Sequence, residues 1–176
     1  MKPKKSPFKI RQAIQSDNES LSKISMATFY DTYVQLNPEN SVLLRAYVDE
    51  TFNEEKIGKE LQKPDVTFYL LEAENELIGY AKTNGLANEA HVELEKLYLI
   101  NGHQGQGLGK TLFLHIKNQA LINGQKSIWL SVYDQNKSAI EFYLKLGFKK
   151  ISEKDFHFNW NGYEYKDRDW VLELIL

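Results

Sequence analysis

The sequence predicts a single α/β domain, a mixed sheet of about seven strands flanked by helices. Three observations lead there. The chain has 176 residues, 42% of them hydrophobic and 26% charged, which fits one packed domain of ordinary soluble composition. Stretches of alternating, β-rich residues are interleaved with stretches whose apolar residues recur every three or four positions. No internal repeat or low-complexity linker divides the chain.

The elements follow in order. "PFKIRQAI", residues 7–14, alternates and reads as a first strand. "SDNE" then has the spacing of a capping box, Ser16 followed by Glu19. The helix behind it should turn Leu21, Ile24, Ala27 and Phe29 inward, and end in a polar, aromatic-rich loop over residues 28–41. "VLLRAYVDETF" and "EEKIGKEL" read as further helices, closed by Pro64. "VTFYLLEA" and "LIGYAKTN" around "ENE" make a hairpin. "ELEKLYLI", residues 93–100, is a strand. Leu108, Leu112, Ile116 and Ala120 mark a helix, and Asn123 and Gly124 stop it. "SIWLSV", residues 127–132, reads as a buried strand and "NKSAIEFYLKLG" as a short helix. The tail reads as two strands joined by a turn at Asn161 and Gly162 or by a longer connection.

Composition narrows the function classes. A formal net charge of −2 and the lack of a basic helix argue against nucleic-acid binding, and Lys2, Lys4 and Lys5 read as a solvated tail. The absence of cysteine excludes disulfides, thiolate metal sites and a cysteine nucleophile. His91, His103, His115 and His157 show no metal-ligand spacing, so no metal is expected; His103 flanks the glycine-rich turn. No apolar run approaches the ~20 residues of a membrane span and no signal peptide is visible, so the expected location is the cytoplasm.

The chemistry points to residues 104–111, "QGQGLGKT", between a strand and a helix. Glycines let backbone N–H groups converge there, and a helix N-terminus adds partial positive charge, so the turn suits an anion. A P-loop would need glycine where Gln104 stands. A dinucleotide fingerprint would need its third glycine where Lys110 stands. Gln104, Gly107 and Gly109 instead fill the pattern Q/R-x-x-G-x-G/A, which suits the pyrophosphate of a coenzyme. A turn built only for tight packing is the alternative.

Following "LEKLYL", this turn resembles the acetyl-CoA signature of the GCN5-related N-acetyltransferases. "NKSAIEFYLKLGF", residues 136–148, resembles that family's second hallmark through Asn136, Ala139, Phe142, Tyr143, Gly147 and Phe148. "TFYDTY", "FNEEKIGKEL", "SIWLSVYDQNKSAIEFY" and the closing "DWVLEL" further resemble the PaiA-type polyamine acetyltransferases. The resemblance implies one N-acetyltransferase domain over residues 1–176. Residues 7–65 carry the first strand and acceptor-side helices, 66–150 the acetyl-CoA core, and 151–176 the last strands. It also implies a mostly antiparallel twisted sheet, splayed between the strands at 93–100 and 127–132.

Acetyl transfer needs an amine without its proton, a stabilised thioester oxygen and a protonated leaving thiolate. A carboxylate can take the amine's proton. Period two puts Glu93, Glu95, Leu97 and Leu99 on one strand face. The resemblance makes Glu93 the general base, with Glu95 in reserve and as an acceptor contact; both also suit solvated strand carboxylates. It makes Tyr143 the general acid at the coenzyme sulfur, on a helix face that also suits a core tyrosine. It assigns the backbones of Leu97, Tyr98 and Leu99 to pantetheine and the oxyanion. Gln104, Gly105, Gln106, Gly107, Leu108, Gly109 and Lys110 hold the pyrophosphate, and Asn136 the pantetheine arm, unless Asn136 is only a helix N-cap.

For the acceptor, Phe29, Asp31 and Tyr33, with Tyr30, Asp49 and Glu50 nearby, supply aromatics and carboxylates of the kind a polyamine needs. The expected activity is transfer of acetyl from acetyl-CoA to a primary amine of a small molecule, spermidine or spermine first, by direct attack in a ternary complex. The alternatives are another acceptor (an amino acid, an aminoglycoside, a protein N-terminus or lysine) or a coenzyme-binding regulatory module without catalysis. The aromatic tail leaves a homodimer open.

Overall fold

The computed structural model describes residues 8–160 and 162–176. The basic residues Lys2, Lys4 and Lys5, together with Pro7 and Asn161, lie outside the described residues. Seven strands form one sheet in the order β1-β2-β3-β4-β5-β7-β6. The strands are β1 (Phe8–Gln12), β2 (Val66–Ala73), β3 (Glu76–Asn84), β4 (His91–Leu99), β5 (Ser127–Tyr133), β6 (Lys149–Trp160) and β7 (Tyr163–Ile175). All neighbours are antiparallel except β4 and β5. That parallel pair is joined by a crossover containing α4 (Leu108–Ile122), as a parallel connection requires.

Helices α1 (Asn18–Leu36), α2 (Ser41–Thr51) and α3 (Glu54–Glu60) cover one sheet face, where Leu21, Val48, Ile57 and Leu70 are fully or almost fully buried. Helices α4 and α5 (Lys137–Lys145) cover the other, over Leu71, Leu112, Ile128 and Leu172. The sheet is therefore the middle layer, and apolar residues leave both of its faces.

Three expectations for α1 are corrected. Residues 28–36 continue the helix instead of forming a loop. β-branched Thr28 and Thr32 are weak helix formers, but their hydroxyls bond back to the carbonyls of Ile24 and Thr28 at 2.7 Å, and Phe29 stacks on Tyr33 at 4.3 Å. Ala27 is exposed; the buried face uses Ser22 instead, whose hydroxyl donates to the Phe52 carbonyl at 2.7 Å. The expected capping box at Ser16 is replaced by a short 3₁₀ turn, Gln15–Asp17. There Asp17 accepts from the Ile14 N–H at 2.7 Å and from Arg11.

Strand β4 departs from regular alternation. Lys82 pairs with Lys96 and Thr83 with Leu94, so Glu95 is an extra residue, a β-bulge. Glu93 and Glu95 still share a face, but Leu97 and Leu99 turn to the opposite face and pack with the α4 core. The expected four-residue face is therefore split in two. β4 and β5 pair only from His91 to Glu93 and then diverge, which is the expected splay.

Candidate functional site

Beyond Glu93 no strand among the described residues pairs with the β5-facing edge of β4, and two cavities open around this notch. One is a groove of about 690 Å³. Its floor is Leu97, Tyr98 and Leu99, one end is the glycine-rich turn, and its far wall is α5 with Asn136, Phe142 and Tyr143. The other is a chamber of about 400 Å³ between the sheet, α1, α2 and the β6–β7 hairpin. Tyr98 lines both. The two cavities meet at this residue, which reading the strand for its backbone alone did not reveal.

The turn has the conformation an anion cradle requires. Gly105 and Gly107 have φ of 75° and 80°, in the left-handed region. A Cβ added to either would meet no atom within 4 Å. Tight packing therefore does not explain these glycines; open backbone facing the groove does. α4 begins at Leu108, so its first N–H groups point at the turn. Gln104, Gly105, Gly107, Gly109 and Lys110 line the groove. Two expected contacts do not bring their side chains there. Gln106 donates back to the Gly102 carbonyl at 2.9 Å, and Leu108 is buried in the core.

Asn136 caps α5, its Oδ1 accepting from the Ala139 N–H at 3.2 Å, which leaves its amide hydrogens for the groove. Tyr143 packs with Ala139 and Leu146 against the core and also lines the groove. Burial, reinforced by nearby Tyr33, pushes its phenol well above the ordinary value.

In the chamber, Glu93, Glu95, Phe29 and Tyr33 come together as expected. Burial raises the Tyr33 phenol to about 12. Asp31 does not join them: it lies at the groove, accepting from Asn101 at 3.0 Å. Asp49 and Glu50 are exposed on α2 and line neither cavity.

The bulge explains the charge pattern. Lys82 and Lys96 stand directly opposite each other, an arrangement that repels. The extra residue, Glu95, sits between them, 2.6 Å from Lys82 and 3.0 Å from Lys96. Burial opposes its ionisation, but the two ammonium groups outweigh that and hold its carboxyl at about 2. Glu93 makes no ion pair among the described residues; it accepts from Asn84 Nδ2 at 2.8 Å, and the same nitrogen donates to Glu95 at 2.7 Å.

Sequence reasoning missed Asn84, Lys96, Asp167 and Asp169. The last two enter from β7, where the hairpin register pairs Asp167 with Phe156 and Asp169 with Lys154. Burial raises both carboxyls above the ordinary value, and Tyr165 donates a hydrogen bond to Asp167. Tyr47 on α2 meets Phe156 and Phe158 edge-on at 6.0 and 4.9 Å and closes the roof. The alternation of "FHF" and "YKDRD" in the tail carried this signal, two residues per step.

The geometry provides a groove that ends at the glycine-rich turn and an acidic, aromatic chamber that meets it at Tyr98. Residues 26–148 match the family model described as Acetyltransferase (GNAT) family. An uncharacterized N-acetyltransferase of Lactobacillus delbrueckii subsp. lactis is 32% identical over 155 residues, 84% of this chain and 88% of that protein. The streptothricin acetyltransferase of Streptomyces lavendulae is 29% identical over 112 residues, 63% of this chain and 59% of that protein. The solved structure of a PaiA N-acetyltransferase from Thermoplasma acidophilum, in complex with coenzyme A, matches with a TM-score of 0.80. That match covers 96% of this chain and 99% of the other at 24% identity, a likeness of fold.

Proposed function

This chain belongs to the acetyltransferase (GNAT) family, and from that premise we propose that it acetylates a primary amine of a small polyamine such as spermidine or spermine. It is an acetyl-CoA-dependent N-acetyltransferase. The observation that carries the acceptor reading is the chamber itself, which meets the coenzyme groove at Tyr98. Its lining carries the carboxylates of Glu93, Glu95, Asp167 and Asp169 against the ammonium groups of Lys96 and Lys154, among aromatic rings. An excess of negative charge with aromatic walls favours a flexible cation.

Glu93 is the base in this reading. An alkylammonium group has a pKa of ~10.4, so a base must take its proton before attack. Glu95, held at about 2 by two lysines, is too weak a base for that role. Glu93 has no such cation bound to it and faces the same chamber. The free edge of β4 at Leu97 to Leu99 holds the pantetheine arm and directs an N–H at the oxygen that gains charge. The glycine turn with Lys110 binds the pyrophosphate. Tyr143 keeps its proton throughout the neutral range. A phenol pushed up is a poorer acid, so its contribution is a hydrogen bond that strengthens as the sulfur becomes a thiolate.

The test is release of free thiol from acetyl-CoA with spermidine, spermine, lysine, an aminoglycoside and streptothricin, for the wild type and Glu93→Gln. The expected result is turnover on the polyamines, lowered about 10²–10⁴-fold in Glu93→Gln. Turnover on another amine alone would keep the chemistry and remove the polyamine. Tight acetyl-CoA binding with no turnover on any amine would favour a regulatory module.

A further inference from the structure

Asn84 ends β3 directly opposite Glu93 in the antiparallel ladder, on the chamber face. Its amide nitrogen lies 2.8 Å from one Glu93 oxygen and 2.7 Å from one Glu95 oxygen. Carboxylates only accept, so the amide's orientation is fixed by chemistry: its NH₂ end must face both, one hydrogen to each. Its Oδ1 is buried without a donor. A buried carbonyl left unsatisfied is a cost that the fold carries at this position, and what the residue provides in return is the link between the two carboxylates.

Glu95 is in turn anchored by Lys82 and Lys96, and Lys82 by Glu60 at 2.7 Å. Asn84 thus ties the one carboxylate of the pair without a cation to a rigid ionic cluster. Across the chamber stand the like charges of Asp167 and Asp169 on β7 and the opposite charge of Lys154 on β6, and the phenols of Tyr33, Tyr47, Tyr98, Tyr133 and Tyr165 line the same space.

We propose that Asn84 is a positioning residue for acetyl transfer, orienting the Glu93 carboxylate toward the acceptor by sharing one amide group with ion-paired Glu95. This rests on the reading of Glu93 as base. Removing the amide releases the Glu93 carboxylate from its anchor, and replacing it with a third carboxylate adds repulsion where there was a donor.

The experiment has two readouts on the full chain. First, kcat and KM on spermidine, or on the best amine of the panel if spermidine is inert, are measured for the wild type, Asn84→Ala and the isosteric Asn84→Asp. A kcat lowered about 10-fold or more in both variants, with KM for the amine within about twofold, is expected. Second, Asn84→Ala is added to Glu93→Gln, where a residue that acts through Glu93 should cost little further activity. The Kd for coenzyme A should stay within about twofold, because Asn84 does not line the groove. An unchanged kcat in both variants, or a full further loss when Asn84→Ala is added to Glu93→Gln, overturns the proposal. Full activity in Glu93→Gln removes Glu93 as base and with it the catalytic role of Asn84. Should Asn84→Ala not fold, Asn84→Asp alone decides.

Discussion

Asp169 shows how a single side chain can work against the fold that holds it. It is half-buried in the chamber and has no hydrogen bond or ion pair among the described residues; Lys154 acts on it only at longer range. Burial raises its folded-state pKa above the ordinary 3.8, so the folded state prefers the protonated form. The resulting penalty is absent while the carboxyl is protonated in both states. It is full once pH has risen through the folded value. Asp169→Asn should therefore be neutral near pH 3 and stabilising at pH 7, by a few degrees in Tm, while KM for the amine rises. Urea unfolding at the two pH values and amine kinetics check this; equal stabilisation at both would contradict it. At this scale the sequence showed what local pattern or family likeness can show: Glu93, Glu95, Tyr143, Asn136 and the glycines. Asn84, Lys96, Asp167 and Asp169 depend on which residue faces which across strands. One bulge and one hairpin register decide that; the alternation in the tail marks which residues share a face, but not which side of the sheet that face is on.

Among elements, β2, α4 and α5 were legible almost to the residue, because their periodicity ends at sharp punctuation: Pro64 before β2, Gly107 and Gly124 around α4, Gly147 after α5. The end of α1 was not, because packing of Phe29 and Tyr33 overrode weak local propensity. Gly79 on β3 is a further case that only the assembled sheet reveals. A Cβ there would lie 2.4 Å from Leu99 Cδ2 and 2.8 Å from the backbone oxygen of Tyr98. The side chain can move aside, but the carbonyl cannot without shifting β4 where it floors the groove. Gly79→Ala is expected to cost about 1–3 kcal/mol and to weaken acetyl-CoA binding as well. Calorimetry with and without acetyl-CoA measures both, and unchanged coenzyme affinity would show that β4 yields without disturbing the groove.

The molecule as a whole is a sheet opened at one seam. Helices on both faces hold β4 and β5 in place, and the strands part after Glu93. The order of elements and the two motifs made that architecture readable in advance. The second cavity could not be read, since it forms from α1, α2, β3, β4, β5, β6 and β7 together. Acetyl-CoA in the groove should stabilise the folded state by ~2.7 kcal/mol at a concentration a hundredfold above Kd. For a chain of 176 residues that is roughly 5–10 °C in Tm. Glu93→Gln should show the same rise, because Glu93 lies in the chamber and not in the groove. A thermal melt with and without acetyl-CoA tests it, and a lost shift in Glu93→Gln would mean that the two cavities are not independent.

The extra residue in β4 also bears on how this strand tolerates a change in length. Deleting one residue from a regular strand turns every later side chain to the wrong side of the sheet. Here a deletion at Glu95 would restore strict alternation and leave Glu93, Leu94, Lys96, Leu97, Tyr98 and Leu99 on the faces they now occupy. What would go is the anion between Lys82 and Lys96, and with it the second anchor of the Asn84 amide. Glu95 is the position in β4 where the frame of the sheet can survive the loss of a codon, while the charge balance of the chamber cannot.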